Sequence, residues 1–405
     1  MREVFVIGVN MTKFGKLPDR SMKSLAREAV DGALNDAGIT KETLQGAAVG
    51  NAKWGIFGGQ EEIRGQVVLR AMGIGGIPII NVENACASAS TAFHVIWAMI
   101  AGGVYDVGLA LGMEQHSPYD PIKVLESAII GTDVEESLKV IERVQGDVTG
   151  SRAIFVDIYA RAAKDHMAKY GTTQRQMAAV ASKNHFHSTL NPYCQYRKPF
   201  TIEEVLQSRE VIYPITLYMC TSYSDGAAAA ILCSADYARK LGISKPVKIL
   251  SSALRSGRDR KEDEEPIEKL AAYQAYEMAG LGPEDIDVAE VHDASAFAEI
   301  GLIEALGLCP EGEGGPFSEA GHTKLGGKKP VNVSGGLESK GHPIGATGLG
   351  QLAEIVWQLR GEAGERQVEN ARTGLTQNGG GMVYITGPLE EAAINVHILQ
   401  RVEKL

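Results

Sequence analysis

A chain of 405 residues, 44% apolar and 22% charged, can bury one large core or two medium ones. A net charge of −10 argues against non-specific nucleic-acid binding and a polybasic membrane patch, and the longest nearly apolar stretch, Thr91 to Ala101, is too short to cross a bilayer. Five widely spaced cysteines, odd in number and without CxxC or His-rich pairing, argue against a disulfide framework and a metal cluster, and point to a reducing, cytoplasmic compartment.

In chain order, VFVIGV (4–9) reads as a strand, not as a leader with an apolar core and cleavage site. Residues 21–37 carry helical periodicity with Ser21 as a candidate N-cap. AAVGNA reads as a strand end and IPIINVEN as a strand. CASASTAFHVIWAMIAGG reads as a helix stopped at Gly102-Gly103, and DVGLALGME as a buried strand. This alternation predicts a layered α/β fold, with helices packed on a mixed or parallel sheet.

An internal repeat adds a duplication to that picture. ALNDAGITKETLQGAAVGN (33–51) aligns without gaps on AYEMAGLGPEDIDVAEVHD (275–293), pairing Gly38 with Gly280 and Val49 with Val291. In each copy a helix ends at a glycine cap, a short turn follows, and a buried strand comes next. Asn81-Val82 ahead of Cys86 likewise parallels Asn332-Val333 ahead of Gly335-Gly336. The expected organisation is an N-terminal half (1–120 and 216–244), an inserted cap or loop domain (121–215) and a C-terminal half (245–405). GRDRKEDEEP (257–266) reads as a solvated loop.

Four segments could carry chemistry. Cys86 sits where a strand gives way to a helix, among Ala85, Ala87, Ser88, Ala89 and Ser90. A helix N-terminus lowers a thiol's pKa, so a nucleophile is one reading and a buried structural cysteine the other. SGGLESKGHPIGATGLGQ (334–351) fixes His342 between Gly341 and Pro343. Its spacing matches neither GxGxxG nor GxxxxGK[ST], which disfavours a dinucleotide or phosphate loop. VHDASAF (291–297) puts His292 at a strand end, either as a proton or hydrogen-bond donor to an oxyanion or as a structural histidine. TQNGGGMVYITG (376–387) reads as a Gly-rich turn into a terminal strand, whose N–H groups could line an oxyanion site.

Taken together, these segments resemble the thiolase superfamily. VENACASAS followed by AGGVYDVGLALGMEQ is similar to its Cys-bearing helix and GGME strand, and TSYSDGAAAAIL (221–232) to its SDGAAA strand. NVSGGLESKGHPIGATG resembles the family's NxNGGxxxxGHPxGATG block, which has few other owners. The resemblance covers nearly the whole chain and implies a duplicated αβαβα five-layered fold with an inserted cap domain. It implies Cys86 as the acylated nucleophile, and His342 as the group that generates its thiolate. His342 and His292 would bind the thioester oxygen, while the N–H of Cys86 and a glycine near Gly380 would form a second oxyanion hole. Coenzyme A would be a cosubstrate, with no permanently bound cofactor or metal. Arg197, Lys198, Arg255 and Arg258 are candidates for its phosphates by composition only. A homodimer or tetramer, and a small OB-fold zinc-binding partner protein, are also implied.

The chain departs from the family at one role. Most thiolases carry a second cysteine in a CxGGG turn as the acid/base of the carbon–carbon step, but here Gln377-Asn378 precede Gly379-Gly380-Gly381. The sterol-carrier-protein-type and archaeal branches share the His-Asp pair. The former places a cysteine after it, where this chain has Ala294, and Cys309 in GLCPEGEGG is a poor substitute. His292 is the expected replacement. The expected activity is thiolytic cleavage or Claisen condensation of a β-ketoacyl-CoA. The aromatics Phe155, Tyr159, Phe186, Tyr193 and Tyr196 of the insert either admit a bulky or aromatic acyl group or fill a core. A decarboxylating β-ketoacyl synthase and a catalytically silent scaffold subunit are the alternatives.

Overall fold

A computed structural model describes residues 1–144, 154–384 and 388–403. Its strands are β1 (Val4–Met11), β2 (Gly46–Gly50), β3 (Ile79–Val82), β4 (Val107–Glu114), β5 (Glu210–Ile212), β6 (Ile215–Thr216), β7 (Gly226–Ser234), β8 (Val247–Ser256), β9 (Val288–Glu290), β10 (Thr373–Tyr384) and β11 (Glu390–Arg401). Nine of them hydrogen-bond in the order β3-β2-β4-β7-β1-β8-β11-β10-β9, and β5 and β6 form a separate ribbon.

That order is a palindrome, and it expresses the duplication read from the repeat. In the first half β2 runs parallel to β3 and β4, while β7 runs antiparallel to β4 and β1. In the second, β9 runs parallel to β10 and, through an Ala289–Val331 bridge, to the segment before the Gly335-Gly336 turn, while β11 runs antiparallel to β10 and β8. A short ladder joins the halves, pairing Val4, Phe5 and Val6 with Ile249, Lys248 and Val247. The repeated unit is reproduced in detail. Helix Met22–Ala37 ends at Gly38 (φ 65°) and helix Ile267–Ala279 at Gly280 (φ 67°), each followed by one 3-10 turn and a buried strand.

Patterning sets the layers. Met22, Leu25, Ala26, Ala29, Val30, Ala33, Leu34 and Ala37 recur at helical spacing and pack on Phe5, Ile7, Leu109 and Ile231 of the sheet's outer face. Burying Leu25 alone contributes about 2 kcal/mol. Ser21 starts this helix with a reciprocal capping box to Ser24. Helix Ile267–Ala279 covers the second half in the same way. Helices Ser88–Ala101 and Thr347–Arg360 lie between the halves, where Phe93, Ile96, Leu349 and Leu352 share one core with Val6 and Leu399. Helix, sheet, helix pair, sheet and helix make the five layers.

The region between β4 and β7 is mostly helical, including Ile154–Tyr170 and Gln174–Thr189, and its core joins Ile158, Ala163 and Met177 to Phe297 and Met382 of the second half. One expectation changes. The glycines of 379–381 lie inside β10 and not in a turn, because Gly379 and Gly380 pair with Ile394 and Ala393 of β11. Residues 385–387 of that segment lie outside the described residues.

Candidate active site

Strand β3 runs into a turn fixed by its own side chains. Ala85 has a left-handed backbone (φ 46°), and its N–H donates to Glu83 at 2.7 Å. Ser88 Oγ accepts from the Asn84 N–H at 3.0 Å and donates to the Ala85 carbonyl at 2.7 Å. Cys86 stands in the single 3-10 turn Ala85–Ala87, directly ahead of helix Ser88–Ala101. Gly380 of β10 backs this turn. A Cβ there would lie 2.1 Å from the Asn84 carbonyl oxygen and 2.6 Å from the Ala87 nitrogen, so the approach requires glycine.

His342 arrives from the loop before helix Thr347–Arg360. Its N–H donates to Ser224 Oγ at 3.1 Å and to the Ser222 carbonyl at 3.2 Å, which explains the SDG segment beside the GHP loop. Its Nε2 faces Cys86 Sγ at 3.2 Å and its Nδ1 faces Thr347 Oγ1 at 2.6 Å. Thr347 Oγ1 donates its own proton to the Pro343 carbonyl at 3.1 Å and therefore accepts from Nδ1–H. That fixes the tautomer: Nε2 carries the lone pair and accepts the Cys86 thiol proton.

His292 follows β9. Its N–H donates to Gln377 Oε1 at 3.0 Å, so the residue standing in the second cysteine's place anchors the histidine's backbone. Its ring lies 5.3 Å from the His342 ring, centroid to centroid, and both its ring nitrogens are buried without partners. Cys86 Sγ and one nitrogen of each histidine lie within 4.8 Å of one another. Asp293 points elsewhere, accepting from the Leu337 N–H at 2.8 Å and from Asn184 Nδ2 at 3.0 Å.

Burial dominates the electrostatics. It pushes the Cys86 thiol up to about 12, against the lowering pull of the Lys53 ammonium, so the helix-terminus effect expected from sequence does not govern here. Burial also lowers His292 to about 4. It holds His342 well below the usual imidazole range, aided by His292, His116 and Lys53. The resting pair is therefore neutral: a thiol hydrogen-bonded to an unprotonated imidazole.

These groups open onto a cavity of about 690 Å³. From the insert come Leu125, Ile130, Phe155, Val156 and Tyr159, and from β10 come Gly380 and Met382. Of the five insert aromatics, Phe155 and Tyr159 line it, whereas Tyr193 stacks on Trp357 and Phe186 and Tyr196 are exposed. Arg197, Lys198, Arg255 and Arg258 are not among the lining residues. Arg197 donates to the Thr189 carbonyl, Lys198 lies over Phe200, Arg255 binds Gln274, and Arg258 lies 3.9 Å from Glu264. Cys309 is buried in the second half's outer core.

Sequence reasoning missed Lys53, Cys220 and Glu391, which all line the cavity. Lys53 donates to Ser127 Oγ and carbonyl at 2.8 Å each, and burial lowers it to about 8. Glu114, of the GGME-like strand, accepts from the N–H groups of Ala52 and Lys53 and from Asn51, which sets Lys53 at the cavity wall. A lysine three residues past a buried strand is the available signal. Cys220 had none, since its place follows from long-range packing.

Two family models match the chain: "Thiolase, N-terminal domain" over residues 4–213 and "Thiolase C-terminal domain-like" over 265–387. The chain belongs to the thiolase family. Its relatives include an acetyl-CoA acetyltransferase of Methanothermobacter thermautotrophicus, 42% identical over 94% of this chain and 97% of that protein. Human sterol carrier protein 2 is 41% identical, over 95% and 72%. The benzoylsuccinyl-CoA thiolase subunit BbsB of Thauera aromatica is 38% identical, over 94% and 95%. Among solved structures, the Ltp2-ChsH2(DUF35) aldolase superposes on this thiolase with a TM-score of 0.79 at 24% identity, over 98% of this chain and 97% of that one. Human mitochondrial 3-ketoacyl-CoA thiolase does so with 0.72 at 18%, over 98% of both chains. Both likenesses bear on the fold. No helix among the described residues of the thiolase is long and apolar enough to cross a membrane.

Proposed function

We propose that this acyl-CoA acyltransferase cleaves or forms a β-ketoacyl-CoA through an acyl group carried on Cys86, with His342 as the base for the thiol and His292 as the acid/base for the carbon–carbon step. The observation that carries the reading is the 3.2 Å Cys86–His342 contact with its tautomer fixed by Thr347. In cleavage, Cys86 Sγ attacks the ketone carbon while His342 Nε2 takes the thiol proton. The oxyanion is held by hydrogen-bond donors drawn from the N–H of Cys86, Gly380, and the two histidines. The Cα–Cβ bond then breaks, the acyl group stays on sulfur, and the departing enolate carbon receives a proton from His292. Coenzyme A next attacks the acyl-Cys86, His292 takes its thiol proton, and His342 returns its proton to Cys86.

The thiolase relatives do not favour a decarboxylating synthase or a silent scaffold. Phe155, Tyr159, Ile130 and Met382 along the cavity support a bulky acyl group. Coenzyme A is the cosubstrate, and Arg197, Lys198, Arg255 and Arg258 stand as candidates for its phosphates. A homodimer or tetramer, a small OB-fold zinc-binding partner and a cytoplasmic location complete the proposal. Five cysteines without disulfides support the last.

The test is intact-protein mass after mixing with a panel of acyl-CoA and β-ketoacyl-CoA esters. An adduct in the wild type that is absent from Cys86→Ala supports the nucleophile, and its mass names the acyl group. No adduct with any ester would sink the reading.

A further inference from the structure

The enolate's proton must come from somewhere, and His292 alone is a poor reservoir. Neutral imidazole gives up its only N–H to become an anion, which is costly in a buried site. A second group must supply a proton to the other nitrogen as the first one leaves.

Glu391 is placed to do this. It lies near the start of β11, lines the cavity, and brings Oε1 to 4.0 Å from His292 Nδ1. Its Oε2 is buried with no partner. Space for the carboxyl is built in, because a Cβ on Gly379 would stand 1.7 Å from that oxygen. The adjacent Glu390 behaves otherwise, held at 2.9 Å by Arg260. Among the described residues Glu391 meets no cation except, when protonated, His292. Burial together with the neighbouring Glu268 and Glu390 holds its carboxyl well above the usual carboxylate range. A carboxyl that burial disposes to hold its proton faces an unpartnered imidazole across a gap of the kind that ligand-free catalytic hydrogen bonds show before substrate tightens them.

Resting on the reading of Cys86, His342 and His292 above, we propose that Glu391 is the proton reservoir of His292, and that the carboxyl–imidazole pair does the work of the missing second cysteine. As the Cα–Cβ bond breaks, the imidazole gives its Nε2 proton to the enolate carbon. Its Nδ1 takes the Glu391 proton, leaving a carboxylate and a neutral imidazole of the other tautomer. When coenzyme A attacks acyl-Cys86, the imidazole takes the thiol proton and Nδ1 returns its own to Glu391. No net proton, electron or co-reactant is needed. Glu391 is a positioning residue in this scheme, since it acts through His292 and not on substrate.

The leaving group separates this role from a structural one. A β-ketoacyl-CoA must expel an enolate carbon, which needs the proton. The matching acyl-CoA expels a thiolate, which does not. The experiment measures the rate at which each donor acylates Cys86, by intact mass, in wild type, Glu391→Gln, Glu391→Asp, His292→Ala, Cys220→Ala and Cys86→Ala. The donors are the β-ketoacyl-CoA that labels Cys86 fastest and its corresponding acyl-CoA.

Glu391→Gln should slow acylation from the carbon donor by ~100- to 10,000-fold, the range of general acid catalysis, and change acylation from the sulfur donor by only a few-fold. Glu391→Asp should recover part of the loss. His292, Cys86, Glu268, Glu390 with its Arg260, and Tyr159 are the titratable and charged groups around Glu391, so the pH profile is read as a difference between wild type and variant. The acid form donates, so the wild-type carbon-donor rate falls as pH rises through the carboxyl's titration, and that limb should vanish in Glu391→Gln. Equal losses from both donors, or none, would overturn the proposal. So would a carbon-donor loss in Cys220→Ala without one in Glu391→Gln, since Cys220 also lines the cavity. An adduct that survives Cys86→Ala would instead remove the nucleophile reading beneath it.

Discussion

Replacing Gly380 by alanine tests whether the close approach of β10 fixes the position of Cys86. The new methyl would stand 2.1 Å from the Asn84 carbonyl oxygen and 2.6 Å from the Ala87 nitrogen, whereas a real Cβ needs at least 3.0 Å. Backbone atoms line both contacts, so relief requires the Cys86 turn and β10 to part by roughly 0.9 Å. The Cys86–His342 contact spans the same turn, and a misplacement near 1 Å costs about 100-fold in rate. Overpacking of this kind also destabilises by ~1–3 kcal/mol. The assay is the single-turnover rate of Cys86 acylation from a saturating acyl-CoA, read by intact mass, with a thermal melt on the same sample. Gly380→Ala should remain folded at the assay temperature and acylate about 100-fold more slowly. A wild-type acylation rate would refute the view that this contact holds Cys86 in register with His342.

Thr347→Val leaves His342 Nδ1–H buried without an acceptor, a defect of ~1–3 kcal/mol that frees the ring to adopt the other tautomer. Acylation should fall by ~10- to 100-fold and recover in Thr347→Ser; an unchanged rate in Thr347→Val would mean another group sets the tautomer. Because the Cys86 thiol is pushed up to about 12 and His342 is held low, the thiolate fraction grows with pH throughout the working range. Alkylation of Cys86 by iodoacetamide should therefore rise about tenfold per pH unit between pH 7 and 10. A plateau already reached at pH 6 would instead reveal a thiolate–imidazolium pair.

The parts of the molecule legible in sequence are those written in local pattern. The helix–glycine–turn–strand unit appears twice because αL caps and buried strands have compositional signatures, as Gly38 and Gly280 show. Cys86, His342 and His292 stood out because each lies at a strand end or in a glycine-fixed loop. Sequence was silent where two distant segments create a property together. The raised Cys86 thiol reflects its burial by segments distant in sequence, and the left-handed Ala85 has no sequence cue. Glu391 reads as one of two adjacent acids at the start of an apolar strand; only the packing of β11 beside β10 sends Glu390 to Arg260 and Glu391 toward His292. The glycines of β10 resemble a turn in sequence because their pairing with β11 is non-local.

The first strand of the chain lies in the middle of the sheet, between β7 and β8. Neither neighbour exists when the ribosome has made β1, since β7 begins only at Gly226 and β8 at Val247. At ordinary elongation rates the VFVIGV segment waits roughly 10–40 s with both edges unpaired. Helix Met22–Ala37 can cover one face of it in that time, but its edges stay open to other chains. Vectorial synthesis thus leaves this protein most exposed to aggregation before its insert is complete, and favours a chaperone that holds the N-terminal segment until β7 emerges.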